Sequence, residues 1–176
     1  MVTKVNWIES GGGPLLFAPR SSIKDWFGAA TSKVAGSQTD YARACSIEAE
    51  IGIISIGNRS AVVLGDEPDR TALVPGRSAA EVLMVRWRWA ESEESLLSGL
   101  LAEHAADALS FVPAGRLATS AEEYLLFDAA CSGAQIDKYL SASLQAGSYA
   151  IETATFKPDR ATFALVHRLK SHLKVA

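Results

Sequence analysis

The residue types in this 176-residue chain that suit chemistry are three histidines, two cysteines and two groups of carboxylates. The histidines are His104, His167 and His172, and none lies near another His or Cys at a spacing that would hold zinc, so no metal site is expected. The cysteines, Cys45 and Cys131, lack the flanking pattern of a catalytic thiol, and no G-x-S-x-G elbow is present. Serines are plentiful, so a small hydrolase built on a Ser–His pair stands as an alternative reading without positive support. Gly11-Gly12-Gly13-Pro14 invites a phosphate loop. A phosphate cradle opens a helix and carries a Lys and a hydroxyl residue behind its glycines, whereas here Pro14-Leu15-Leu16-Phe17 follows. The segment reads as a turn or hinge, with no cofactor implied.

The carboxylates fall in two clusters: Asp66, Glu67 and Asp69, then Glu91, Glu93 and Glu94. Each follows a strand and sits at a turn or helix start, where acidic residues serve local turn and capping chemistry. The competing reading is a binding surface. If adjacent strand ends carry both clusters, they form one acidic patch able to steer a basic partner. Of the four tryptophans, Trp87 and Trp89 share a strand face with Leu83 and Val85 and are assigned to the core. Trp7 is assigned there too. Trp26 sits in an irregular segment and is the candidate for partial exposure at an interface.

Composition bounds the partners. The chain is 48% hydrophobic and 21% charged, which suits one globular domain over residues 1–176. A net charge of −3 gives no basic footprint, so no nucleic-acid partner is expected, and the tail Arg168–Lys174 reads as a solvated end. No apolar run approaches the roughly 18 residues of a membrane span. Met1 to Asn6 has one Lys and no apolar core of a signal peptide, so the expected location is cytoplasmic. Two distant cysteines permit one disulfide; in that compartment a reduced, buried pair is the simpler expectation.

These residues must be positioned by strands. Val5–Ser10 and Leu15–Ala18 read as short strands on either side of the glycine turn. Ser22 is placed to cap a turn through Lys24–Phe27 that Gly28 ends, and residues 29–39 read as a loop. Asp40 caps a single turn over Tyr41–Cys45, or else Tyr41–Ile47 is extended. Ile51–Ile56 and Ala61–Leu64 flank Gly57-Asn58, the strongest hairpin signal in the chain. Glu81–Ala90 alternates as a half-buried strand. Ser92 caps the one main helix, about residues 93–109, whose stripe is Leu96, Leu97, Leu100, Leu101, Ala105, Ala108 and Leu109. Strands then return over Tyr124–Phe127, Lys138–Leu144, Ser148–Phe156 and Ala161–Leu169. The order predicts an α+β, mostly β, single domain with antiparallel meander sheets and one main helix.

An ordered set of strings carries a resemblance: Trp7–Leu16 (WIESGGGPLL), Asp40–Cys45 (DYARAC), Ala61–Pro68 (AVVLGDEP), Val85–Glu94 (VRWRWAESEE), Leu126–Ala129 (LFDA), Gly147-Ser148-Tyr149 and Val166-His167-Arg168-Leu169. In order and spacing, from Trp7 to Leu169, they resemble the immunity protein 21 family of bacterial polymorphic toxin systems. The resemblance implies a small, mostly-β cytoplasmic protein that binds and neutralises a cognate protein toxin and catalyses nothing. It carries over no catalytic or toxin-contact residue. The toxin-facing residues expected from charge and residue type alone are Asp66, Glu67, Asp69, Glu91, Glu93, Glu94 and Trp26. A housekeeping interaction subunit of a larger assembly is the other alternative.

Overall fold

A computed structural model of the chain describes residues 5–30, 36–65, 69–76, 78, 80–101 and 108–171. Within them the chain forms two antiparallel sheets, as expected of a mostly-β domain. The elements in chain order are β1 (Trp7–Ile8), β2 (Leu15–Pro19), a 3₁₀ turn (Arg20–Asp25), α1 (Asp40–Cys45), β3 (Ile51–Ile56), β4 (Arg59–Leu64), β5 (Arg70–Pro75), β6 (Glu81–Trp89), α2 (Glu93–Leu100), β7 (Val112–Thr119), β8 (Glu122–Asp128), β9 (Leu140–Leu144), β10 (Gly147–Phe156) and β11 (Phe163–Ser171). One sheet runs β1-β5-β6-β11-β10-β7; the other runs β3-β4-β2-β8-β9.

The pairs β3–β4, β5–β6, β8–β9 and β10–β11 are neighbours in sequence. The rest of the topology is long-range: β2 lies between β4 and β8, and β11 between β6 and β10. The glycine turn explains how the first two strands serve different sheets. β1 pairs with β5 in the six-stranded sheet, and β2 starts in the five-stranded one. Asp128 fixes the crossing by accepting from the Gly11 N–H at 2.8 Å, and Ser10 Oγ donates to the Gly13 carbonyl at 2.5 Å. A side chain at Gly13 would run into the Tyr41 ring. The hinge reading of this segment therefore holds.

Three apolar layers follow from strand alternation. Between the sheets lie Leu15, Phe17, Val62, Leu64, Met84, Leu126, Tyr149, Ile151 and Leu169. On the far side of the five-stranded sheet, Leu16, Val63, Leu125 and Phe127 pack against Ile23, Trp26 and Ala44 from the 3₁₀ turn and α1. On the far side of the six-stranded sheet, Leu83, Val85, Ala164 and Val166 lie under Leu96 and Leu100 of α2. β6 is thus covered on both faces, from Val82 to Arg86, rather than half-buried as its alternation suggested. A central strand under a helix needs apolar residues on each side, and Met84 and Val82 supply the second set.

Several boundaries differ from the sequence expectation. The first turn begins at Arg20, so Ser22 lies inside it and donates to the Pro19 carbonyl instead of capping. The α1 turn forms with Thr39, not Asp40, as its cap; Asp40 accepts from the Phe27 N–H and pairs with Arg43. The α2 N-terminus is as expected, with Ser92 and Ser95 bonding reciprocally. Its helix is described only to Leu100, with Leu101 as C-cap; residues 102–107 of the expected helix lie outside the described residues, and Ala108 and Leu109 are in a turn and a bend rather than a helix. Two strands went unread. β5 follows the acidic stretch that holds Asp66, Glu67 and Asp69 in the sequence, and ends on Pro75. β7 contains Pro113 and Gly115, tolerated because it is an edge strand with a register shift there.

Candidate functional site

Asp69 and the β6 arginines build a polar cluster at one end of the sandwich. Arg86 shares its inward parity with Met84, so its guanidinium enters between the sheets and is 1% exposed. It donates to the Glu50 carbonyl at 3.1 Å, to the Glu50 carboxylate at 3.2 Å and to the Gly65 carbonyl at 3.2 Å. Asp69 stands 3.6 Å away. Arg88, two residues further along, joins Glu50 at 2.8 Å and Asp69 at 3.0 Å. Glu50 precedes β3 and Gly65 follows β4, so one arginine of the six-stranded sheet clasps the open end of a hairpin in the other. A guanidinium suits this place because its flat fork serves two carbonyls and a carboxylate together. Asp69 is therefore engaged by its own chain.

His167 faces the same interior, opposite Met84 on β6 and Thr153 on β10. Its Nδ1 shares a 2.8 Å hydrogen bond with Thr153 Oγ1, and Nε2 has no protein partner among the described residues. Burial, then the positive Arg86 and Arg88, push its pKa down to about 3. The imidazole is neutral at any ordinary pH and sealed from solvent. A hydroxyl–imidazole pair exists here, but as a buried strut rather than a nucleophile reachable by substrate. His104 and His172 lie outside the described residues. Among the described residues no group of three or more His, Cys, Asp and Glu could hold a metal ion.

The four tryptophans are sorted differently from the sequence expectation. Trp26 is 1% exposed and donates through its indole N–H to the Ala129 carbonyl at 3.0 Å, so the partial exposure expected of it is wrong. The 3₁₀ turn and Gly133, whose N–H donates to the Trp26 carbonyl, fold over it. Trp89, assigned to the core, is instead 46% exposed. β6 shifts register against β11 between Trp87 and Trp89, and Trp89 ends the strand. Trp7 is only half-buried; it meets Trp87 edge-on at 5.4 Å with the Arg70 guanidinium over both rings.

The remaining sequence candidates are scattered. Glu91 and Glu94 are exposed and Glu93 is half-buried at the start of α2, and none makes an ion pair with a described residue. Asp66 and Glu67 lie outside the described residues. The cysteines are both free, but Cys45 is exposed and Cys131 half-buried, so the expectation that both are buried fails; burial pushes the Cys131 thiol up.

Two surfaces that sequence reasoning missed are concave or aromatic. A groove runs along the open side of the sandwich between β5 and β9. It holds a 440 Å³ hollow beside Trp7, Glu9 and Asp137 and a 370 Å³ one beside Leu73 and Leu140. Tyr139 borders both, and also a 380 Å³ hollow with Arg20, Lys24 and Ile136. Arg20 lies 5.6 Å from the Tyr139 ring centre and pairs with Glu123 at 2.6 Å, which lowers the Glu123 carboxyl. None of these hollows is lined by His167. The second surface is the Trp89 end of β6. Phe163 meets its ring at 4.5 Å, and Lys157 lies 5.6 Å from the Trp89 ring centre.

No helix among the described residues is long and apolar enough to cross a membrane. Neither a curated protein nor a solved structure matches the chain. A family does match, over residues 6–162, which takes in the glycine hinge, both sheets' central strands up to β10, the Arg86 clasp and Trp89. The chain belongs to the Immunity protein 21 family.

Proposed function

We propose that this protein binds and neutralises a cognate polymorphic toxin in the cytoplasm of the cell that makes both, and catalyses nothing itself. The observation that carries the reading is the family match over residues 6–162. The chemistry of the fold agrees with it. His167, whose pKa burial pushes far down, is walled in, and the buried arginine is committed to holding the sheets together. What the surface offers a partner is shape, exposed aromatics and unpaired charge, which is what an inhibitor needs. Inhibition of this kind requires an interface of about 800 Å² on each partner.

The test is co-expression with the toxin encoded beside this protein, paired with binding of the purified toxin domain. Growth rescued by the wild-type chain, together with a stable complex, supports the reading. A toxic product that this chain neither rescues nor binds overturns it. Toxin that is chemically altered after incubation with catalytic amounts of this protein would replace neutralisation by binding with an enzymatic reading.

A further inference from the structure

We infer that the toxin-facing surface is the Trp89 end of β6, and that it receives a basic patch of the toxin; this rests on the proposed function above. Trp89 is the tryptophan that ends on the surface, at 46% exposure, while Trp26 is sealed. A large indole left at a strand end gains nothing for the fold from its wet half, and tryptophan is the side chain most enriched where partners anchor. Its ring is already fixed. Phe163 holds it edge-on at 4.5 Å, and Lys157 lies over both rings, 5.6 Å from one centre and 5.9 Å from the other. A preset aromatic anchor loses little freedom on binding.

Charge selects the kind of partner. The chain leaves Trp89 directly into Glu91, Glu93 and Glu94, which have no ion-pair partner among the described residues. By contrast Glu50, Asp69, Glu81, Glu122, Glu123 and Glu152 are each engaged by an arginine. The β10–β11 turn adds Lys157 and Arg160 against Asp159, so the patch remains net acidic. Unspent carboxylates beside a fixed aromatic pair suit lysine and arginine side chains, which pair with the acids while the indole supplies apolar contact.

The experiment measures association and dissociation of the purified toxin domain with the full-length chain, at low and high salt, alongside growth rescue. Trp89→Ala is expected to weaken binding by about 30-fold or more, mainly through faster dissociation. E91Q/E93Q/E94Q, which keeps the aromatic pair and the Ser92 cap, is expected to slow association about tenfold and flatten its salt dependence. Circular dichroism and melting of each variant confirm that the fold persists. If Trp89→Ala proves unstable, the glutamine variant alone decides. Tyr139→Ala in the groove is the rival surface. Wild-type binding that survives both Trp89-end variants, or that is lost only in Tyr139→Ala, overturns the placement while leaving neutralisation intact. A wild-type chain that neither binds nor rescues overturns both.

Discussion

Arg86 offers the sharpest test of how the two sheets are held together. Arg86→Met keeps an unbranched chain of similar length and removes the fork. Two charge-assisted bonds, to the carbonyls of Glu50 and Gly65, are lost, and those carbonyls stay at a site where the arginine was 1% exposed. Each such bond contributes about 1.5–3 kcal/mol, and the guanidinium's own desolvation penalty is recovered. Arg88 remains to serve Glu50 and Asp69, so neither carboxylate is stranded. The net loss is about 3 kcal/mol, which for a chain of this size lowers the melting temperature by about 6–12 °C. Urea unfolding followed by tryptophan fluorescence measures it, and Glu50→Gln, at a half-exposed carboxylate, is the contrast, with a loss under about 1 kcal/mol. An NMR titration gives a second readout. Arg86 is one of the charges that hold the His167 pKa down, so it rises in Arg86→Met, yet stays below the ordinary value because burial is the larger cause. A loss below about 1 kcal/mol, with the His167 titration unmoved, would refute the idea that Arg86 clasps the sheets.

Acid sensitivity follows from His167. Its pKa is about 3 in the folded chain against an ordinary 6.5, so between those values the unfolded chain takes up a proton that the folded one refuses. Stability therefore falls as pH drops below about 6.5, by about 1.4 kcal/mol per unit, until about pH 3. His167→Gln removes that term, so from pH 6.5 to 5 the wild type should lose about 2 kcal/mol more than the variant; parallel losses would show the imidazole is not buried neutral. Gly133 is set by close approach: a Cβ there would overlap the backbone carbonyl of Ile23. Gly133→Ala should destabilise by about 3 kcal/mol in denaturant unfolding, and a neutral result would mean the loop does not press on the 3₁₀ turn.

Much of the fold was legible because strands announce themselves by local chemistry. Gly57-Asn58 turns a hairpin whose register runs from Ile56↔Arg59 to Ile51↔Leu64, and Ser92 caps α2. What escaped is decided by neighbours far away in sequence. β7 carries no strand signal because Pro113 and Gly115 break its pattern, yet an edge strand tolerates both. Trp26 and Trp89 were assigned the wrong way round for the same reason. Nothing near Trp26 in sequence shows that Ala129 will accept its indole N–H, and nothing near Trp89 shows that cover ends at Trp87. Of the acidic candidates, charge alone could not separate Asp69, taken by Arg88, from Glu91 and Glu94, which have no ion-pair partner among the described residues. The buried Arg86 had a faint signal, an arginine inside an apolar alternation, which reads equally well as a solvent face.

The position of β2 has a consequence in time. Its residues emerge early, but Leu15 pairs with both Leu64 and Asp128, and the strand is central only once β8 is present. Likewise β6 waits for β11 to cover its second edge. At about 5–20 residues per second, a nascent chain holds apolar β2 without its β8 partner for on the order of 10 s. The five-stranded sheet is then complete only with β9, and no fragment lacking β11 has a complete six-stranded sheet. A cell that relies on this protein gains the whole sandwich only once β11 has been made, rather than by degrees.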